Sequence, residues 1–395
     1  MYDILFFNGT VLSEDGPIEN GYVLVQGDTV VEVGKGTPCG VTVKEAVDLA
    51  GAYLSPGFIE LHTHGAGGSD FMDGTAQAIL TAARMHLKHG TTALCPTTLC
   101  CADEELYEFF EHFEQVKAVR ENMPHLLGIH MEGPYFSPAQ AGAQPPEYMK
   151  TPFPEHFACM LEKSHGNIIR WSSAPEVEGV LELGCKLTEH GILPAIAHTD
   201  ASAEDIERAL RNGYKLLTHF YSGMSQLKRV NGHRVPGCVE AGYLYDDLWV
   251  ELIADGVHLP PLLLKLILKC KRHDRICLVT DSMRAAGMPE GTSVLGSLKN
   301  GTEVFVEGGV AIMPDRQAFA GSVATADRLI RVMTEQAGLS LPEAVRMMSL
   351  NPARLLKLDA NMGSIKEGKL ADLIVFNEKI DVRRVYVSGR EVNIA

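Results

Sequence analysis

Two histidines separated by one residue, His62 and His64, end the apolar run 53–61 and precede the glycine-rich segment 65–68. Side chains alternate between the two faces of a strand, so histidines at positions i and i+2 point the same way and can hold one metal ion. An isolated His-x-His is more often only a pair of polar residues at a strand end. Further ligand-type residues at later strand ends would favour the metal interpretation.

Such residues do recur at the ends of later apolar runs: Glu132, His198, His219 and Asp281. A single buried histidine is usually a hydrogen-bonded core residue. Six ligand-type residues at the same end of the predicted strands favour a metal centre, because buried polar groups cost free energy unless they are paired or coordinated. Imidazoles and carboxylates without a thiolate suit Zn²⁺ or Fe²⁺ and leave a position for water. The sequence leaves the identity of the metal open.

These residues require a scaffold that brings strand ends together. Short apolar runs alternate with helical segments in the middle of the chain, which is typical of βα units with parallel strands. Eight strands are predicted, ending at 62–64, 91–98, 129–132, 168–173, 195–198, 216–219, 250–255 and 276–281. Predicted helices include 77–89, 104–121, 203–212, 261–273, 325–337 and 341–349, with an inserted β hairpin at 303–313. This order predicts an α/β fold, a (β/α)8 TIM barrel, whose reactive groups lie at the C-terminal strand ends.

Both ends of the chain contain short strands separated by turns. We therefore predict a small β-sandwich domain built from both termini, with residues 1–52 as its N-terminal part and 351–395 as its C-terminal part. The barrel is expected to occupy residues 53–350.

The composition excludes several classes of partner. A formal net charge of -15 argues against nucleic acid, because phosphate backbones require a basic face, and an anionic substrate would need a local cation. The nine cysteines lack metal-finger spacing and follow no signal peptide, which predicts reduced thiols and a cytoplasmic location. No apolar run approaches the length needed to span a bilayer, since 262–268 is interrupted by Lys265, so no membrane association is predicted.

Several sequence motifs occur in a characteristic order. They are His-x-His at 62–64, His-Met-Glu-Gly-Pro at 130–134, His-Thr-Asp at 198–200, Thr-His at 218–219, Ala-Asp-Gly-Val-His at 254–258 and Val-Thr-Asp at 279–281. In this order the chain resembles the amidohydrolase superfamily and, within it, the deacetylases of amino sugar phosphates. The resemblance extends through nearly the whole chain. It implies metal-dependent hydrolysis of the acetamide of N-acetyl-D-glucosamine 6-phosphate to D-glucosamine 6-phosphate and acetate.

The resemblance also implies roles for the ligand-type residues. Glu132, His198 and His219 would hold the principal divalent metal ion, and His62 and His64 make a second ion bridged by Glu132 plausible, so one or two ions per subunit are expected. Strand four, 168–173, carries no lysine, which disfavours the related cyclic amidases that bridge two metals with a carboxylated lysine.

The mechanism that follows from these parts requires a carboxylate that moves a proton. Asp281 would accept the proton of the attacking water and donate it to the leaving amine. The alternative for this residue is a structural cap at the end of strand eight.

Substrate recognition is expected from residues that match positions of the family. Arg234, in the Arg-x-Pro-Gly loop, would bind phosphate and can reach the neighbouring subunit's site, which implies a homodimer. The other expected contacts are Gln144, Ser222, Gly223, His258, Phe319, Ala320 and Gly321. The chain departs from the family at Ser222-Gly223, where asparagine followed by alanine or glutamine is usual, and at Gln144, where histidine is frequent.

Two alternatives therefore stay open. The departures allow a deacetylase of N-acetylgalactosamine 6-phosphate or of another N-acetylated compound. A protein of another class would be a metal-free amidohydrolase-like scaffold that acts by association, which the retention of six ligand-type residues disfavours.

Overall fold

Eight parallel strands form the middle of the fold in the computed structural model, which describes residues 1–394, and five of them carry the predicted ligand residues at or just after their C-terminal ends. We number them strands one to eight: Phe58–Thr63, Thr91–Pro96, Ile129–Glu132, Ile168–Ser173, Leu193–Ile196, Leu216–Leu217, Trp249–Ile253 and Ile276–Val279. A two-residue strand, His125–Leu126, precedes strand three and pairs with strand two. All eight predicted strands are found. Strands two, five, six, seven and eight each end two residues earlier than expected, because the chain turns before the polar residues that follow them.

Parallel pairing joins these strands into two sheets. Strands three to eight form one sheet, and strands one and two form another with the short strand before strand three. Single bridges connect the two sheets, Thr97 to His130 and Thr63 to Ser282. Small apolar side chains fill the interior: Ile59, Leu61, Ala93, Cys95, Ala195, Leu216, Ile253, Cys277 and Val279. The chain has an α/β fold in which parallel strands meet at one end.

Helices alternate with the strands. The bounds are Ala76–Lys88, Asp103–Val116, Pro154–Lys163, Val180–Glu189, Ala203–Arg211, Cys238–Leu244, Pro261–Cys270, Ala326–Arg331, Leu341–Met347 and Leu350–Leu355, with a π-helical turn at Val332–Gln336. Short 3₁₀ turns lie at Pro138–Gln140, Pro146–Tyr148 and His273–Arg275. Local sequence sets their starts. Ser202, for example, accepts the Asp205 amide while the Asp205 carboxylate accepts the Ser202 amide, which satisfies two otherwise free donors.

The helix after strand two is shorter than predicted, Asp103–Val116 rather than 104–121. Its buried face ends at Val116, so later residues offer little apolar surface to bury. The Arg120 guanidinium also donates hydrogen bonds to the backbone carbonyls of Lys117 and Val119. These carbonyls would accept backbone amides if the helix continued.

Both chain ends contribute to one eight-stranded sheet, which we call the terminal sheet. Its strands are Tyr2–Ser13, Gly16–Gln26, Thr29–Lys35, Val43–Asp48, Tyr53–Pro56, Leu373–Phe376, Val382–Val387 and Arg390–Val392. Tyr53–Pro56 pairs with the first strand on one side and with Leu373–Phe376 on the other. The apolar run 53–61 therefore contributes one strand to the terminal sheet and strand one to a parallel sheet, and Gly57 lies between these two strands. A Cβ on Gly57 would lie 2.1 Å from Thr92 Oγ1, so only glycine fits this crossing.

A second antiparallel unit, the inserted sheet, follows strand eight. It contains Gly291–Leu295, Thr302–Glu307, Val310–Ile312 and Phe319–Ser322, two strands more than the predicted hairpin. Arg284 fastens it, donating to the carbonyl of Val294 at 2.7 Å and to Asp73 Oδ1 at 2.7 Å. Two small hairpins complete the strand content, Gly65–Ala66 with Ser69–Asp70 and Lys228–Val230 with His233–Val235. Among residues 1–394, no helix has the length and apolar character of a membrane span.

Candidate active site

The predicted ligand atoms meet in two groups that share Glu132. One group contains Glu132, His198 and His219, the other His62, His64 and Glu132, and within each the ligand atoms lie within 4.8 Å of one another. Glu132 Oε1 lies 3.1 Å from His219 Nε2 and 3.4 Å from His198 Nε2. Glu132 Oε2 lies 3.3 Å from His64 Nε2. Oε1 also lies 3.5 Å from His62 Nε2. Oε1 thus faces His198, His219 and His62, while Oε2 faces His64.

Backbone geometry at the strand ends turns these side chains inwards. His198, His219 and Asp281 adopt positive φ angles of 45°, 36° and 46°. Non-glycine residues avoid this region because the Cβ crowds the backbone, and such strain collects at functional sites. The ring orientations are fixed by backbone acceptors as well. Nδ1 of His198 lies 2.9 Å from the Gln140 carbonyl, and Nδ1 of His219 lies 3.0 Å from the Ser222 carbonyl, so each Nε2 faces Glu132.

The electrostatics of the cluster favour a bound cation. Burial disfavours charge on the first two histidines, but the Asp281 and Glu132 carboxylates outweigh it and raise the pKa of His62 to about 9 and that of His64 to about 10. Burial likewise opposes ionisation of Asp281, yet the charges of His62 and His64 lower its pKa to about 2. A divalent cation would satisfy these carboxylates while the imidazoles bind it as neutral ligands, releasing protons. The nitrogen and oxygen donor set fits a divalent metal ion.

A buried ion pair lies beneath the cluster. The Arg170 guanidinium pairs with the Glu251 carboxylate, and both side chains are fully buried. Arg170 also donates to the Leu61 carbonyl at 3.0 Å and to Thr218 Oγ1 at 2.8 Å. Glu251 Oε2 faces His62 Nδ1 at 3.7 Å. Sequence reasoning missed this pair, although a charged residue inside each apolar strand was a usable signal.

The Asp281 side chain contacts the group of His62 and His64, so it does more than cap the end of strand eight. Its Oδ1 is 3.2 Å from His64 Nε2 and 3.4 Å from His62 Nε2. The side chain also lines the cavity above the cluster. A carboxylate in this position is ionised at neutral pH and within reach of a substrate, which are the requirements for accepting a proton.

A cavity of about 230 Å³ opens above the ligand cluster. The predicted residues that line it are His64, Glu132, Gln144, His198, His219, Ser222, Gly223, His258, Asp281, Phe319 and Gly321. The sequence did not single out Leu99, Gly142, Ala143, Leu295 and Ala318, which also line it. Leu99 had a usable signal, since it closely follows strand two. Leu295 and Ala318 belong to or adjoin the inserted sheet, whose position was not predictable.

Three predicted residues lie outside the lining. His62 is buried behind His64, with their Nε2 atoms 3.3 Å apart. Ala320 is buried within the inserted sheet. Arg234 is exposed on the hairpin Lys228–Val230 and His233–Val235. Within residues 1–394, the lining contains no lysine or arginine.

The two substrate-side departures have a structural context. Ser222 supplies its backbone carbonyl to His219. Gly223 has φ +56°, and a Cβ there would lie 3.0 Å from His198 Nδ1, so glycine relieves both strain and crowding. His258 is oriented by Asp255, with Nδ1 2.8 Å from Oδ2, and its ring centroid lies 4.8 Å from that of Phe319.

Comparison with known proteins decides the family. The amidohydrolase family matches residues 53–392. The chain belongs to this family. It is 31% identical to an Escherichia coli O157:H7 N-acetylgalactosamine-6-phosphate deacetylase, over 96% of this chain and 97% of the relative. It is 32% identical to a Bacillus subtilis N-acetylglucosamine-6-phosphate deacetylase, over 94% of this chain and 92% of the relative.

A solved structure shows the same similarity in three dimensions. It is an aspartate-to-alanine variant of the Mycobacterium smegmatis N-acetyl-D-glucosamine-6-phosphate deacetylase in complex with N-acetyl-D-glucosamine-6-phosphate. The two chains superpose with a TM-score of 0.90 at 30% identity, covering 100% of each. The expected family membership is therefore confirmed.

Proposed function

We propose that this amidohydrolase hydrolyses the acetamide of N-acetyl-D-glucosamine 6-phosphate to D-glucosamine 6-phosphate and acetate, with a divalent metal ion. The observation that carries the proposal is the buried cluster around Glu132, with the Asp281 carboxylate beside it at the cavity floor. Relatives named as amino sugar 6-phosphate deacetylases match nearly the full length of the chain, which supports the substrate class.

The proposed scaffold is a closed (β/α)8 barrel over residues 53–350 with a β-sandwich domain formed by 1–52 and 351–395. The bridges from Thr97 to His130 and from Thr63 to Ser282 support closure. A shared core that includes Val23, Leu54 and Val375 supports a domain built from both ends.

The proposed metal is Zn²⁺ or Fe²⁺, with Glu132, His198 and His219 holding the principal ion. His62, His64 and the shared Glu132 would hold a second, so one or two ions are expected per subunit. A divalent ion in such a site lowers the pKa of water and polarises the substrate carbonyl. The absence of thiolates from the ligand set supports a borderline or hard metal.

Asp281 carries the proton in the proposed reaction. Its carboxylate accepts a proton from the water that attacks the acetamide carbon. When the carbon–nitrogen bond breaks, Asp281 donates that proton to the departing nitrogen, and acetate and the free amine are released. The fixed orientations of His198 and His219 hold the site rigid, so that little reorganisation accompanies the change in charge.

Recognition of the sugar phosphate is proposed for the residues around the cavity and for a second subunit. Gln144, Ser222, Gly223, His258, Phe319, Ala320 and Gly321 would surround the sugar. Arg234 of a neighbouring subunit would supply the phosphate contact, because the cavity lining described here carries no such cation. The enzyme is accordingly proposed to be a homodimer. A cytoplasmic location is proposed from the nine free cysteines.

The experiment that tests this function measures acetate release from a panel of N-acetyl sugars with and without a 6-phosphate. We expect the highest kcat/KM for N-acetyl-D-glucosamine 6-phosphate. Release of no acetate from any phosphorylated amino sugar would refute the proposal.

N-acetyl-D-galactosamine 6-phosphate is the second candidate substrate. A relative named for that activity is 31% identical, nearly the value for the glucosamine relative, and Ser222-Gly223 departs from the usual family residues. A higher kcat/KM for the galacto substrate in the same panel would establish this alternative.

The metal proposal has a separate test. His198→Ala should remove bound metal and activity together, since its Nε2 belongs to the principal group. The exposed His165, whose Nε2 lies 2.8 Å from Glu111 Oε1 and which is not among the predicted ligands, provides the control His165→Ala. Full activity in a metal-free His198→Ala protein would refute the assignment.

A further inference from the structure

Gln144 is held at both ends of its amide. Its Oε1 accepts the backbone N–H of Cys100 at 2.8 Å, and its Nε2 donates to Glu132 Oε2 at 2.8 Å. The Cys100 amide can only donate, so the amide orientation is determined and the NH₂ group must face Glu132. The side chain is 4% exposed and lines the cavity. Gln144 therefore links the segment after strand two directly to the carboxylate at the end of strand three.

The contact falls on the one ligand that both metal groups share. Glu132 Oε1 faces His198 and His219 and also lies 3.5 Å from His62 Nε2, while Oε2 faces His64. A carboxylate oxygen has two lone pairs, so Oε2 can accept the Gln144 N–H and still bind an ion. Without that hydrogen bond, the orientation of the Glu132 carboxylate would lose one restraint.

The remaining ligands show why this restraint matters most for the second group. His198 and His219 are each oriented through Nδ1 by a backbone carbonyl. Among residues 1–394, the buried Nδ1 atoms of His62 and His64 have no partner within hydrogen-bond distance, and the Glu251 carboxylate that faces His62 Nδ1 lies 3.7 Å away. The second group thus depends more heavily on the orientation of the Glu132 carboxylate, whose Oε1 faces His62 and whose Oε2 faces His64.

We propose that Gln144 is a positioning residue that holds Glu132 as a bridge between the two groups and thereby enables binding of the second metal ion. This inference rests on the two-ion form of the proposed function. It gives Gln144 a role distinct from the sugar contact implied by its place in the sequence.

The test measures metal binding by the full-length chain. Wild-type protein, Gln144→Leu and the nearly isosteric Gln144→Met are stripped with a chelator and titrated with Zn²⁺ against a chromogenic competitor. The ratio of zinc to protein is measured by atomic emission, and circular dichroism confirms folding. A His62→Ala, His64→Ala double variant identifies the second ion. Gln77→Leu, at an exposed glutamine that donates to Thr81, is the matched control.

We expect the wild type to bind two ions and the Gln144 variants to bind the second with a Kd raised about 10- to 100-fold, the usual effect of losing a group that orients a ligand. The first Kd should change little, and Gln77→Leu should match the wild type. Unchanged Kd values in both Gln144 variants would overturn the proposal. A wild type that binds one ion, unaffected by the double variant, would refute the two-ion premise and this inference with it. Two bound ions without acetate release would instead refute the deacetylase proposal alone.

Discussion

Removing the Arg170 guanidinium tests how strongly the ion pair beneath the cluster supports the fold. Arg170→Met keeps an unbranched side chain of similar length but leaves the fully buried Glu251 without its cation. It also leaves the Leu61 carbonyl and Thr218 hydroxyl without the donors at 3.0 and 2.8 Å. Breaking one side of a buried ion pair typically costs about 3–5 kcal/mol, since the remaining charge is uncompensated.

That free energy corresponds to a measurable change in Tm. An unfolding entropy of about 2.1 cal/mol/K per residue gives roughly 0.8 kcal/mol/K for a chain of this length, so the expected decrease is about 4–6 °C. Differential scanning calorimetry measures it directly. The double variant Arg170→Met, Glu251→Met should show a smaller decrease in Tm than Arg170→Met, because it leaves no unpaired charge.

The exposed pair Arg211 and Glu207 provides the control. Arg211→Met should change Tm by less than about 1 °C, as expected of a solvent-screened pair. The reasoning fails if Arg170→Met lowers Tm by less than about 1 °C, or if the double variant is less stable than Arg170→Met.

Three further predictions address catalysis, recognition and pH. Asp281→Asn keeps the side-chain shape but cannot carry a proton, so kcat should fall by about 10²-fold or more with substrate and metal still bound; near-normal turnover or loss of metal would contradict the shuttle role. Arg234→Ala should raise KM for the phosphorylated sugar and spare unphosphorylated analogues, whereas equal losses on both would indicate a structural role. Partial burial opposes ionisation of Glu14, but hydrogen bonds led by that from Lys369 lower its pKa from 4.5 to about 2. The wild type should therefore have a larger free energy of unfolding than Glu14→Gln, with the full difference above about pH 5 and a declining difference as the pH falls towards 2. Urea unfolding at several pH values measures this difference. A difference independent of pH would contradict the prediction.

Much of the site was predictable because polar residues interrupt apolar runs at strand ends. Ile129–Glu132 and the segment around Val279 to Asp281 show this pattern, and Glu132 and Asp281 both lie close to His64 Nε2, at 3.3 and 3.2 Å. Parallel strands place their carboxyl ends together whatever the sequence between them. In this fold, a polar residue at the end of an apolar run therefore predicts which residues from distant parts of the chain lie close together.

Other features depend on contacts between distant parts of the chain. Arg170 and Glu251 lie 81 residues apart, and each is surrounded by apolar neighbours in its own strand. Their pairing follows from the sheet and not from spacing. The division of the run 53–61 at Gly57 could not be predicted from the sequence either. Glycine is required there because any Cβ would clash with Thr92, which lies 35 residues later in the chain. The inserted sheet was only half predicted, since Gly291–Leu295 has little apolar alternation.

The pairing of Leu54 with Val375 has a consequence for biosynthesis. About 320 residues separate these partners, so translation at ~5–20 residues per second leaves one edge of Tyr53–Pro56 unpaired for roughly 16–64 s. Only Gly57 separates that strand from Phe58–Thr63, which leads to His62 and His64. The strand that leads to the first predicted ligand pair of the nascent chain is consequently paired on both edges only after Leu373–Phe376 has left the ribosome. Premature termination before this point would release a chain in which His62 and His64 follow a strand with one open edge.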